Sequence, residues 1–189
     1  MEFPAHKAPP NCVTATIDGA ARGNPGPAAY GVVFADAAGK PLTQLAGRLG
    51  RATNNVAEYR ALLVALTYAR TEGWRALRVR TDSELLAKQL LGDYKVKSAD
   101  LKPLYDEAQR LIASFIYFAV EAVPRKLTRR ADKLANAALD KRSAVSRQPS
   151  AKAQKVIRAV YEGGVLKPLE PLDLAEGEET LLIVRPRKA

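Results

Sequence analysis

The sequence predicts an α/β domain built on one five-stranded mixed sheet flanked by helices, followed by a small C-terminal β unit. Three observations carry that prediction. Period-two segments follow one another closely over the first 50 or so residues, as in an antiparallel meander. Amphipathic segments then alternate with short apolar runs up to residue 142, a pattern that adds parallel strands to a sheet. A polar, Pro-containing stretch at 143–154 (SAVSRQPSAKAQ) reads as a linker before the last residues.

Residues 1–11 (MEFPAHKAPPN) carry Pro9 and Pro10 and no apolar run, so a disordered lead-in is expected rather than a secretory signal. The main domain is expected over 12–142. Val13, Ala15 and Ile17 alternate with Thr14, Thr16 and Asp18, which predicts a first strand. Gly19 to Pro27 is rich in Gly and Pro and predicts a turn. Ala29–Phe34 and Leu42–Leu49 are the next strands, parted by Gly39-Lys40-Pro41. Thr53 to Arg70 predicts a helix, with Thr53 or Asn54 as N-cap and an apolar stripe of Ala57, Ala61, Leu62, Ala65, Leu66 and Ala69. Ala76–Thr81 is a fourth strand and Ser83–Leu91 a second helix. Asp100–Ala113 is a third helix with Pro103 in its first turn, Phe115–Val123 a fifth strand, and Arg129–Arg142 a last helix. The order is βββαβααβα.

The final unit, 155–189, predicts strands at Lys155–Tyr161 and Glu179–Arg185, with a turn at Glu162-Gly163-Gly164. The KPLEPLDLAEGE stretch is too Pro-rich for a central strand. So small a unit must pack on the main domain, pair with another chain, or stay marginally stable.

Composition narrows the function classes. Of 189 residues, 47% are hydrophobic, enough for a sizeable core. No run of about 18 apolar residues occurs, so no membrane span is expected. Cys12 is the only cysteine, which rules out an intramolecular disulfide and fits a reducing, cytoplasmic setting. Net charge is +10, and from Pro124 to Arg158 eleven Lys or Arg face only Asp132 and Asp140. A basic block this concentrated suits a polyanion such as nucleic acid; the alternative is a solvated basic helix and linker.

Four acids stand out by position. Asp18 and Asp82 end the first and fourth strands, and neighbouring parallel strands would bring both to the sheet edge where α/β folds bind ligands. Glu58 falls in the first turn of its helix beside the apolar stripe, where an ionised carboxylate is costly unless paired or coordinated. Asp132 falls in the first turn of the last helix among Arg129, Arg130 and Lys133. Singly, each has a plainer explanation: a turn former, a capping-box partner, a helix cap, an ion-pair partner. Together they suit one cluster, and crowded hard oxygen ligands select Mg²⁺ or Mn²⁺. Two such ions can drive phosphodiester cleavage.

The surrounding motifs resemble those of the type 1 ribonuclease H family. Asp18 opens DGAARGNPGPAAYGVVF, Glu58 lies in TNNVAEYRAL, Asp82 in RTDSELLAKQL and Asp132 in ADKLAN, in family order over residues 12–142. The resemblance implies a ribonuclease H-like fold. It implies an endoribonuclease that cuts the RNA strand of RNA–DNA hybrids with two metal ions, leaving 5′-phosphate and 3′-OH ends. Asp18 would bridge both ions; Glu58, Asp82 and Asp132 would complete the ligand set, Glu58 also lying near a ribose 2′-OH. Gly19, Asn24 and Asn55 match positions that contact the hybrid in its minor groove, and Thr53 and Asn54 positions that hold the DNA backbone or line the groove. Double-stranded RNA is a second candidate substrate.

Three features depart from the family's commonest pattern. The loop before Asp132 reads VPRKLTRRAD and has no His; the only His is His6. This is closer to the archaeal-like branch, and Arg125 is expected to contact the scissile phosphate or position a neighbouring one. Thr128 stands where relatives commonly have Asn. A basic, Trp-containing protrusion is absent: GDYKVKSAD joins the second and third helices, and Lys95 and Lys97 there are expected to bind backbone phosphate or merely solubilise the loop. Beyond the linker, VYEGGVLKPLEPLDL resembles a small prokaryotic antitoxin-like β domain, which implies homo-oligomerisation through 155–189. Six acids against four bases in 159–189 argue against a nucleic-acid-binding tail. The rival readings are another nuclease of this fold such as an integrase or resolvase, a non-catalytic hybrid-binding module, and an interaction protein defined by its C-terminal unit.

Overall fold

The computed structural model describes residues 8–140 and, by backbone alone, 159–162 and 165–168. The chain divides into two compact units, Met1–Ser143 and Ala144–Ala189. The first contains strands β1 (Val13–Ala21), β2 (Gly26–Ala35), β3 (Pro41–Ala52), β4 (Ala76–Thr81) and β5 (Tyr117–Ala122). Its helices are α1 (Asn54–Thr71), α2 (Glu84–Leu91), α3 (Lys102–Ile112) and α4 (Arg125–Asp140). The sheet runs β3-β2-β1-β4-β5. The first three strands pair antiparallel, and β4 and β5 add in parallel, as the element order predicts.

The two sheet faces receive helices for a local reason. A Cβ on Gly19 would lie 2.2 Å from the Glu58 backbone nitrogen, so α1 can rest on β1 only over a glycine. A Cβ on Gly31 would lie 2.1 Å from the Ala131 carbonyl oxygen, so α4 seats on β2 in the same way. Gly31 pairs with Asp18, the neighbour of Gly19, and adjacent strand residues face opposite ways. The two helices therefore cover opposite faces. The core lies chiefly on the α1 face, where Ile17, Phe34, Leu62, Leu66, Leu77 and Val79 are fully buried and Phe34 packs at a tilt against Tyr68 and edge-on against Trp74.

Several boundaries differ from expectation. β1 runs through Gly19 to Ala21, because pairing of Ala20 and Ala21 with Ala29 and Ala28 satisfies backbone that a turn would leave to solvent. The turn is thereby confined to residues 22–25, and β2 begins at Gly26. α4 begins at Arg125, a turn earlier than predicted: Leu127 N–H donates to the Pro124 carbonyl and the Thr128 hydroxyl to the Arg125 carbonyl. Arg125 is therefore helical rather than in the preceding loop.

In the second unit, β6 (Ala159–Glu162) and β7 (Val165–Pro168) pair as an antiparallel hairpin. The second strand thus starts directly after the Gly163-Gly164 step and takes in Lys167 and Pro168, part of the stretch judged too Pro-rich. Among the described residues this sheet has two strands and so no central one, and Pro168 stands at the end of its strand. The strand expected at Glu179–Arg185 lies outside the described residues, as do residues 1–7 and the linker.

Candidate active site

β1 and β4 pair from Val13 opposite Leu77 to Thr16 opposite Arg80, after which β4 ends and the chain turns into α2. β1 continues, carrying Asp18 past that point. Into this space α1 delivers Glu58, whose carboxylate accepts from the Gly19 N–H and the Thr81 hydroxyl. Asp82 follows β4 directly. Asp18, Glu58 and Asp82 each offer a carboxylate oxygen, and these oxygens all lie within 4.8 Å of one another.

The plainer explanations for these three acids do not hold. Asp18 is inside a strand and 5% exposed, so it forms no turn. Glu58 is in the second turn of α1, not the first as the sequence suggested. Thr53 is the N-cap, its hydroxyl accepting from Val56 N–H, and a capping-box acid would have to stand at position 56. Ser83, not Asp82, caps α2, accepting from Leu86 N–H.

The electrostatics of the trio follow from burial and crowding. Burial first, then the charges of Asp82 and Asp132, push the Asp18 carboxyl up to about 7, against the pull of Arg125. Burial, then Asp18 and Asp82, hold Glu58 well above the usual carboxylate range despite its two hydrogen bonds. Glu58 Oε2 is buried with no hydrogen-bond partner among the described residues. A buried carboxylate oxygen without a donor is placed to ligate a cation. The donor set, all carboxylate oxygen, fits Mg²⁺ or Mn²⁺.

Asp132 stands differently. Because α4 starts early, Asp132 lies beyond its first turn, and its Oδ1 accepts from Arg125 Nη2 at 3.0 Å and Asn136 Nδ2 at 3.2 Å. It borders the same cleft but not the tight trio. The ion-pair reading of Asp132 thus holds in part, with Arg125 rather than the expected Arg129, Arg130 or Lys133 as its partner.

The cleft over these acids measures about 340 Å³ and is also bordered by Gly19, Asn54 and Arg125 among the predicted contact residues. Asn24 does not border it; its side-chain oxygen accepts from Asn54 N–H at 3.1 Å and so ties the Gly23–Gly26 turn to the start of α1. Thr53 acts as the cap, and Asn55 is exposed on the first turn of α1; neither borders the cleft. Lys95 and Lys97 are exposed between α2 and α3, likewise away from it. Sequence reasoning missed three residues. Thr81 and Asn136 hold Glu58 and Asp132, and Ser83 lines the wall. Thr81 and Ser83 flank Asp82 within RTDSELL, and Asn136 is one helical turn after Asp132 in ADKLAN, so helical spacing was the available signal for Asn136.

Comparison with known proteins agrees with this geometry. Residues 16–138 match the model of the reverse transcriptase-like family, and residues 154–189 that of the AF2212-like family. Ribonuclease HI of Halobacterium salinarum is 44% identical over 128 residues, which span 68% of this chain and 64% of that protein. The crystal structure of RNase H1 from the same archaeon superposes with a TM-score of 0.67 at 43% identity, covering 68% of this chain and 98% of that one. LC11-RNase H1, crystallised in complex with an RNA/DNA hybrid, gives a TM-score of 0.65 at 39% identity, covering 68% and 97%. In the C-terminal unit, 31 residues are 64% identical to a putative antitoxin of Aeropyrum pernix, covering 16% of this chain and 47% of that protein. With its four motif acids bordering one cleft and these likenesses covering most of the first unit, the chain belongs to the reverse transcriptase-like family and, within it, to the type 1 ribonucleases H.

Proposed function

We propose that the chain is an endoribonuclease that hydrolyses the RNA strand of RNA–DNA hybrids, leaving 5′-phosphate and 3′-OH ends. One observation carries the reading most directly: three crowded carboxylates, two of them buried, none of which forms an ion pair with a basic side chain among the described residues. Asp18, Glu58, Asp82 and Asp132 would hold two divalent ions, Mg²⁺ or Mn²⁺. When bound, these ions would activate a water and stabilise the leaving 3′ oxygen. The water oxygen bonds to phosphorus, the P–O3′ bond breaks, and the proton passes to the departing oxygen.

The chain's own residues orient the substrate. Arg125 presents its guanidinium at the cleft mouth, 75% exposed beside Asp132, where a backbone phosphate can meet it. Thr81 and the Gly19 N–H fix the Glu58 carboxylate, which leaves it able to meet a ribose 2′-OH. The 2′-OH is what distinguishes the RNA strand from its DNA partner. Asn54, Asn55 and Asn24 cluster at the α1 start and the turn tied to it, a polar surface suited to base edges and sugars in a minor groove.

The test is a cleavage panel of end-labelled RNA–DNA hybrid, double-stranded RNA and double-stranded DNA, each with Mg²⁺, Mn²⁺ or chelator. The expected result is metal-dependent cutting of the RNA strand of the hybrid, with products carrying 5′-phosphate. Cleavage in chelator, or of DNA in preference to RNA, contradicts the reading.

A further inference from the structure

The site accounts for only one flank of α4. Thr128, Ala131 and Ala135 bury the helix against the sheet, and Arg125 and Asp132 face the cleft beside them. Opposite the buried stripe lie Lys126, Arg129, Arg130 and Lys133, all exposed. At about 100° per residue, these four positions share one arc of the helix no wider than about 100°. No acid stands among them. Arg130 donates to the Gln44 side-chain oxygen on β3 at 3.2 Å, a neutral partner, and no carboxylate pairs with any of the four among the described residues. Helices α2 and α3 behave otherwise, setting Lys88 against Glu84 and Lys102 against Asp106 at i,i+4 spacing.

Four uncompensated cations in two turns repel one another unless an anion of matching spacing arrives. Lys126 to Lys133 spans roughly 10 Å of helix axis. A duplex strand presents one phosphate per about 3.4 Å of its own axis, so this face meets about three phosphates. Arg125, at the head of the same helix, already borders the cleft, so the stripe continues outward from the bond being cut. We propose that the outer face of α4 is a second phosphate-binding track, in which Lys126, Arg129, Arg130 and Lys133 hold the backbone of the duplex beyond the cleavage site. The inference rests on the proposed function only in that the same duplex enters the cleft.

The test compares the full chain with its Lys126→Gln/Arg129→Gln/Arg130→Gln/Lys133→Gln variant. Binding of a fluorescent hybrid of about two dozen base pairs is followed by anisotropy in chelator over a salt series. The slope of log affinity against log salt is expected to flatten by about 3, at roughly 0.9 for each phosphate that the variant no longer neutralises. In metal-supported cleavage of the same hybrid, KM should rise about tenfold or more while kcat stays within about twofold. Equal slopes overturn the track, as does a fall in kcat with the slope unchanged. If neither protein cuts the hybrid, the nuclease reading fails, and the slope comparison still decides the track. The double variants Lys126→Gln/Arg129→Gln and Arg130→Gln/Lys133→Gln should each take about half the slope change, which keeps the test open if the fourfold variant folds poorly.

Discussion

Asp18 and Glu58, 5% and 4% exposed, face Asp82 and form no ion pair with a basic side chain among the described residues, whereas the Asp132 side chain, 23% exposed, already holds Arg125 and Asn136. The two regions lie in one cleft and carry the same functional group, yet they solve the charge problem differently. At the trio, the fold brings negative charge together, and the hydrogen bonds that offset it there, from Gly19 and Thr81, both go to Glu58. At the rim, it supplies the counter-charge from two helical turns upstream. Asp18 and Glu58 are therefore held toward their protonated forms in the absence of a cation, whereas Asp132 already has Arg125 as its counter-charge. This difference sets the proposed cation site apart from the carboxylate at its rim.

Substitutions that neutralise each region in turn should expose that difference. Asp18→Asn is expected to reduce metal-dependent cleavage by about a thousandfold or more, because it removes a ligand from the centre of the trio. Asp132→Asn keeps its hydrogen bond to Arg125 and should cost about tenfold to a hundredfold. Equal losses would erase the distinction between centre and rim. Arg125→Ala should lower kcat about tenfold and change KM less than about threefold. A change in KM alone would assign Arg125 to holding a neighbouring phosphate rather than the scissile one.

The pH dependence of stability sharpens the comparison further. The Asp18 carboxyl titrates at about 7 in the metal-free fold, against 3.8 ordinarily. Between those values the folded chain keeps a proton that the unfolded chain releases, so the contribution of Asp18 to stability falls as pH rises from about 4 to 7 and stays lost above 7. In chelator, Asp18→Asn should therefore unfold at a higher temperature than wild type at pH 8, by several degrees, with the gap closing toward pH 5. Thermal melts across that range check the sign; a gap that widens toward pH 5 contradicts it.

Much of the site was legible because position in an element is a property of sequence pattern. The strand ending in Thr81 and the helix opened by Thr53 are evident from alternation and capping, and they place Asp82 and Glu58. Asp18 is legible as a residue of the first strand, and its pairing with Gly31 follows from the meander. Boundaries that depend on tertiary support were not legible. Gly19 reads as a turn residue because glycine is favoured in turns, yet it serves in a strand because α1 must pass within contact of the backbone there. The early start of α4 was missed although Pro124 is a helix-start residue, because the first buried position of the helix is the polar Thr128, and Arg125 therefore reads as a loop residue. Side-chain partnerships such as Arg125 with Asp132, seven residues apart, follow only once that helix boundary is known.

The central claim is that Asp18, Glu58 and Asp82 form a divalent-cation site left uncompensated by the fold. Calorimetric titration of the metal-free full chain with Mn²⁺ at neutral pH, beside Asp18→Asn and Arg125→Ala, tests it most directly. The account predicts saturable binding to wild type with release of protons, retained in Arg125→Ala and lost in Asp18→Asn. Mn²⁺ binding that is unchanged in Asp18→Asn would contradict it.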